Sequence, residues 1–180
     1  VQIAANGVAQ SIWSLAALVG GALGPAFITV IGQCMGAQDV DAADYYMRKL
    51  TRLTFFISIL WNGLVLAGTP LLLLLYDLSE EAKQLVLLLV VIHNLFNAVA
   101  FPLSGPFSNG LRAAGDVKFT MYISLFCTVV CRVALSILFG VWMQGGVIGI
   151  AFAMAGDWCI KAGILAIRYK SGKWKNFRVL

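Results

Sequence analysis

The sequence predicts an all-α membrane protein with five transmembrane helices, and three observations carry that reading. Of its 180 residues, 61% are hydrophobic and only 12% are charged, about half the charged fraction of a soluble domain. That leaves too little polar surface to coat a globule in water. The apolar residues fall into five stretches of roughly 20 residues or more, each enough for ~30 Å of hydrocarbon at ~1.5 Å per residue. Lysines and arginines gather at the ends of these stretches, as they do at membrane surfaces. Period-two alternation is absent, which argues against a membrane β-barrel. The net charge of +5 is laid out for orientation in a bilayer and not as a face that would follow a nucleic acid.

Residues 1–10 are small and polar, and the first span is expected over 11–31. Gly20, Gly21, Gly24 and Pro25 predict a kink there and close approach to a neighbour. The pairs Gly20/Gly24 and Gly32/Gly36 have the small-xxx-small spacing. Asp39, Asp41 and Asp44 then precede Arg48, Lys49 and Arg52, an order that suits the dipole at the start of a helix. These acids read as a solvated helix entry. The second span is expected over 53–75, with Asn62 and Thr69-Pro70 inside it. A polar turn follows at Asp77-Leu78-Ser79-Glu80-Glu81, with Ser79 as N-cap and both glutamates in the first helical turn.

The third span is expected over 85–107. It holds His93, Asn94 and Asn97, then Pro102 and Pro106, so its second half should be bent or broken. Gly110-Leu111-Arg112-Ala113-Ala114-Gly115-Asp116-Val117-Lys118 carries every charge between residues 85 and 137 except Arg132. It reads as a hinge between two spans, with Gly110, Arg112, Gly115 and Asp116 as its defining residues. The fourth span, 119–143, contains Arg132; Gln144-Gly145-Gly146 is a tight turn; the fifth span, 147–167, contains Asp157 and Lys161. The tail, 168–180, is basic and aromatic, and Lys173, Trp174, Lys175 and Phe177 read as a membrane-surface anchor. The four cysteines (Cys34, Cys127, Cys131, Cys159) fit neither a zinc spacing nor a disulfide framework, and read as reduced, small apolar residues.

Placing 110–118 in the cytoplasm puts Arg48, Lys49, Arg52, Arg112, Lys118, Arg168, Lys170, Lys173, Lys175 and Arg178 on that side and leaves only Lys83 outside. Residue 1 is then outside and Leu180 in the cytoplasm. The chain begins with Val1, lacks the basic start of a signal peptide and has an odd number of spans. The expectation is a piece of a longer protein, with one or more helices preceding it.

Two segments then carry a family likeness. Gly32-Gln33-Cys34-Met35-Gly36-Ala37-Gln38-Asp39 with Ala42-Ala43 resembles the GQ-x-x-GA-x-D segment after the second helix of a lobe in the multidrug and toxic compound extrusion (MATE) family. Leu111-Arg112-Ala113-Ala114-Gly115-Asp116-Val117-Lys118 resembles that family's LR-x-x-GD-x-K segment after the fourth helix of a lobe. Arg132-Val133-Ala134-Leu135, Gly149-Ile150-Ala151, Asp157-Trp158 and Arg168-Tyr169-Lys170-Ser171-Gly172-Lys173-Trp174 are similar to the last two helices and tail of bacterial members. The resemblance implies twelve helices in two six-helix lobes. This chain would be the C-terminal lobe without its first helix, completed by that helix and by the N-terminal lobe. It further implies export of cationic or amphipathic compounds in exchange for sodium ions or protons, across a cell membrane, most simply a bacterial inner membrane. In some members an acidic residue of the seventh or tenth helix takes part in ion coupling. The span matching the tenth has no Asp or Glu, so the coupling ion has no identifiable site in this chain, and no cofactor or metal is implied.

Arg132, Asp157 and Lys161 are the charges inside the hydrocarbon. Arg132 lies 12 residues before Gln144 and Asp157 lies 13 after it, so at equal rise the two stand at nearly the same depth. Asp157 is therefore expected to pair with Arg132, with Lys161, one turn on, as a second partner. The set is either a brace for the hairpin or part of a transport pathway. His93 and Asn97, four residues apart, share a helix face. They read either as a cavity wall touching substrate, with His93 titrating, or as interhelical hydrogen bonding. Two functions compete: drug efflux by antiport, and flipping of a lipid-linked oligosaccharide or polysaccharide by a relative in the same superfamily, which would want a more cationic cavity. An intramembrane enzyme lacks support, with one histidine and no H-E-x-x-H or G-x-S-x-G motif.

Overall fold

The computed structural model describes residues 2–76 and 78–177. Asp77 of the expected polar turn, Arg178 of the tail and both chain ends lie outside the described residues. Every regular element among them is helical, and five helices are long and apolar enough to cross a membrane. These are α1 (Gln2–Gly36), α2 (Val40–Leu73), α3 (Glu80–Val99), α6 (Val117–Trp142) and α7 (Gly146–Lys170), with the short α4 (Phe101–Ser104) and α5 (Pro106–Ala113) between α3 and α6.

Helix α1 starts well before the expected residue 11. Ala5 and Ala9, taken as part of a polar lead-in, are fully buried and pack beside Ile12 and Ala16 against α2 and α3. The turn into α2 follows from backbone bonding. Gln38 adopts a left-handed conformation (φ 59°), its N–H bonds to the Met35 carbonyl and that of Asp39 to the Cys34 carbonyl, which satisfies the last carbonyls of α1 in a Schellman motif. Asp39 then caps α2, accepting from the Ala42 N–H at 2.9 Å. Ser79 caps α3 in the same way, with Glu80 and Glu81 in its first turn.

The break expected from Pro102 and Pro106 is present. Each proline lacks the N–H that a continuous helix needs, and the chain passes through α4 and α5 before turning. The turn itself is shorter than the nine-residue hinge read from the sequence, because α5 runs on through Ala113. Gly115 (φ 95°) forms a second Schellman motif: its N–H bonds to the Arg112 carbonyl and that of Asp116 to the Leu111 carbonyl. Two π-helical turns, Cys127–Cys131 and Ile137–Trp142, interrupt α6, and no residue pattern announces them.

The helices run up and down in order, so two apolar clusters form at opposite ends of the bundle. One joins the start of α1, the end of α2 and the start of α3. The other joins Phe27, Ile31 and Met35 of α1 with Ala43 and Met47 of α2, Phe107 and Leu111 of α5, Leu165 of α7, and Trp174. Between them lies a layer of buried polar side chains, among them Ser58, Asn62, His93, Asn97, Ser104 and Asp157. Helix α3 is central and α6 peripheral: half of the most apolar window of α3 is buried against 6% in α6. The α6 flank is therefore covered by lipid or by another part of the protein.

The small-residue pairs divide. A Cβ on Gly20 would meet the Phe101 ring and one on Gly24 would meet Asn109, so this pair lets α1 approach α4 and α5; Gly32 and Gly36 face open space. At the α6–α7 hairpin a Cβ on Gly149 would run into the Phe139 carbonyl and the Gly140 backbone. Backbone cannot step aside as a side chain can, so Gly149→Ala should cost about 1–3 kcal/mol and lower the unfolding temperature of the protein in detergent. Gly163→Ala, which meets nothing, should leave it unchanged or raise it, since alanine is the better helix former.

Candidate functional site

The polar layer contains a cavity of about 430 Å³. Helix α1 contributes Gln10 and Trp13, α4 Phe101 and Ser104, α6 Thr128 and Arg132, and α7 Asp157, Trp158 and Lys161. Broken backbone at membrane depth is tolerated where it lines such a space, and the α4 break does so at Ser104 and Gly105.

Arg132 pairs with Asp157, as their equal depth predicts. Its Nε donates to Asp157 Oδ2 at 2.9 Å and its Nη2 to the same oxygen at 2.5 Å. The carboxylate is 1% exposed and the arginine side chain 36%. Asp157 Oδ1 is buried and has no hydrogen-bond partner among the described residues, so charge is compensated while one acceptor stays unfilled. Lys161 differs from expectation. It lines the same cavity, but among the described residues Asp157 has an ion pair with Arg132 alone. The arginine fork occupies the one engaged oxygen, and Lys161 stays half-exposed at the cavity. The cavity thus holds two cations for one carboxylate.

One wall is aromatic. Trp13 and Trp158 stack with centroids 5.8 Å apart and planes 23° apart, and Phe101 meets Trp158 edge-on at 5.8 Å, arrangements that ring quadrupoles favour. None of the three stood out in the sequence as a site residue. Trp158 is adjacent to a buried acid, whereas Trp13 and Phe101 carry no local signal.

His93 sits behind Trp13, their rings 6.4 Å apart. Its Nδ1 donates to the Leu89 carbonyl at 2.8 Å, and its Nε2 is buried without a partner among the described residues, as are Trp13 Nε1 and Asn94 Oδ1. Asn97, four residues on, faces elsewhere: its Nδ2 donates to Asn62 Oδ1 at 3.1 Å, while Asn62 Nδ2 donates to the Ser58 carbonyl at 2.8 Å. Neither His93 nor Asn97 lines the cavity. Asn97 thus makes a hydrogen bond between α2 and α3.

The residues of 110–118 lie at the other end of α6. Gly110 is buried against Met47 and Phe27, and Arg112 reaches Ser124 Oγ at 3.2 Å. Asp116 is 2% exposed and takes a two-pronged bond from Arg168, Nε to Oδ2 at 2.7 Å and Nη2 to Oδ1 at 3.0 Å. The next residue, Tyr169, donates its hydroxyl to Asp44, which also pairs with Arg48 at 2.7 Å and Lys175 at 3.1 Å. Asp44 is therefore a partly exposed junction that joins α2 to α7 and the tail, more than the solvated helix entry expected of it. The tail corrects a second reading: Trp174 is fully buried, stacked on Tyr169 at 5.4 Å with its Nε1 donating to the Tyr169 carbonyl. It is part of the core and does not lie on the membrane as an anchor. The stretch 110–118 is thus fastened to α2 and α7 and stands apart from the cavity.

Comparison with known proteins supplies a family. The family model MatE matches residues 1–138. The chain is 25% identical over 179 residues to the uncharacterized transporter YisQ of Bacillus subtilis (strain 168), a match that covers 92% of this chain and 36% of that protein. The chain thus spans about a third of its relative's length. No solved structure matches. With most of its length matched by that family model, and with five helices fit to cross a bilayer, this chain belongs to the MATE family of multi-pass membrane transporters.

Proposed function

We propose that the chain forms most of one lobe of a secondary active exporter. It would move amphipathic or cationic small molecules in antiport with sodium ions or protons by alternating access. The family supports transport; the observation that carries the finer reading is the mid-depth cavity in which Arg132 and Asp157 pair beside the Trp13–Trp158 stack. Charges inside a bilayer are costly and mark pathways, and secondary transporters bind near the midplane between repeats. The aromatic wall suits an apolar body. In this reading the remaining lobe and one further helix complete the cavity, and the cation-rich end faces the cytoplasm of a bacterial inner membrane. The chain itself performs no catalysis, and the coupling ion binds elsewhere in the protein.

One observation favours the second reading, a flippase or exporter of lipid-linked or polymeric sugars. Two cations for one carboxylate leave the cavity with a surplus positive charge, which suits a phosphate-linked substrate better than a bare cation. Dye efflux from cells carrying the full protein separates the two, with the sodium and proton gradients collapsed in turn. Efflux that stops with one gradient identifies antiport and its ion; no dye efflux under any gradient supports the second reading.

Asp157→Asn keeps the shape and removes the charge. The expected result is a protein that accumulates normally and exports dye about tenfold more slowly or worse, as removal of a pathway charge should. Failure to accumulate would make the pair a brace only. Stability gives an independent measure. Arg132→Leu leaves a buried carboxylate unpaired and should cost about 3–5 kcal/mol, whereas Arg132→Leu with Asp157→Leu should recover most of it. Unfolding of both variants in detergent reads the difference.

A further inference from the structure

A second cleft, of about 500 Å³, opens at the cation-rich end between α2, the α4–α5 segment and α7. Arg48, Arg52 and Lys170 ring it, Tyr169 stands at the back, and Leu103 and Phe107 form an apolar floor. Arg52 and Lys170 are exposed and make no ion pair among the described residues. Arg48 shares the single carboxylate of Asp44 with Lys175, so that acid has no charge left to offer the other two. The cleft also straddles the edge of the apolar belt. Beyond Arg52 on α2 come exposed Leu53, Phe56 and Ile59, and Ile167 stands exposed just before Lys170 on α7.

Uncompensated cations above an apolar floor, at the border between polar and apolar surface, match a ligand with an anionic head and an apolar tail. Basic pockets between membrane helices are suited to such headgroups. We propose that this cleft binds an anionic phospholipid of the surrounding bilayer, with Arg52 and Lys170 on the phosphate and one acyl chain along Leu103 and Phe107. A free phosphate would gain nothing from the floor, and a neutral zwitterionic lipid would leave the cations uncompensated. The headgroup would rest against Arg48 and Tyr169, which also hold Asp44, so occupancy reinforces the tie between α2 and α7.

The test uses the full-length protein, purified in detergent and stripped of lipid. It is titrated separately with phosphatidylglycerol, phosphatidylcholine and inorganic phosphate, and retention is read by native mass spectrometry. Phosphatidylglycerol should be retained, more weakly as salt rises, and the other two should not. Arg52→Gln with Lys170→Gln should weaken retention about thirtyfold, the effect of losing two near-surface cations. Lys49→Gln with Lys118→Gln removes equal charge from the same end outside the cleft, and should weaken it less than about threefold. Equal retention of phosphatidylcholine, equal weakening by the two double variants, or indifference to salt would overturn the proposal. Phosphate binding as tightly as the lipid would instead make this a site for a soluble anion, and would overturn it too.

Discussion

The structure depends on how one carboxylate is held. Asp157 is 1% exposed at the middle of a bundle that spans a bilayer, and an isolated charge there would cost several kcal/mol. Its compensation by Arg132 requires α6 and α7 to stand at one depth. The turn at 144–146 sets that depth, and the missing side chain of Gly149 lets the two backbones come close enough. The apolar clusters above and below close the layer from water and confine the polar groups to it. Compensation is incomplete in one respect: both arginine nitrogens use Oδ2 and leave Oδ1 unfilled.

A different problem is solved at the cation-rich end. Helices in lipid have little hydrophobic reason to associate, so small residues and polar contacts must hold them. Two aspartates, Asp44 near the start of α2 and Asp116 just before α6, are reached by consecutive residues of α7, Tyr169 and Arg168. Because successive residues of a helix point about 100° apart, one turn of α7 can hold elements on two sides. Trp174 folds back and covers the tyrosine. The turn after α5 is thus tied to α7 by the Asp116–Arg168 pair.

The site and this fastening are spatially separate, yet α7 runs through both. Asp157 and Lys161 stand at mid-depth, and Arg168 and Tyr169 two to three turns further on the same helix. Both sets of residues belong to one unbroken helix, Gly146–Lys170.

Much of this was legible in the residues. Helix number follows from hydropathy and length, the break in the third span from Pro102 and Pro106, and the N-cap of α3 from Ser79. The Arg132–Asp157 pair follows from counting out from the turn. All of these are quantities measured along one chain, where rise per residue converts number into depth. What escaped was direction around each helix and contact between helices far apart in sequence. Lys161 has the depth to reach Asp157 but not the contact; Asn97 turns to Asn62 and not to the cavity; Trp13 and Phe101 become a wall only when α1, α4 and α7 meet; Trp174 looks like a surface residue until Tyr169 is beside it. Two π-helical turns in α6 further shift the faces that its residues present. Hydropathy and helical rise act locally, so the residues alone gave the number of helices, their depths and the Arg132–Asp157 pair. Which polar groups share a cavity and which bind helices together depends instead on rotation and packing, which depth leaves free and which the folded bundle alone sets.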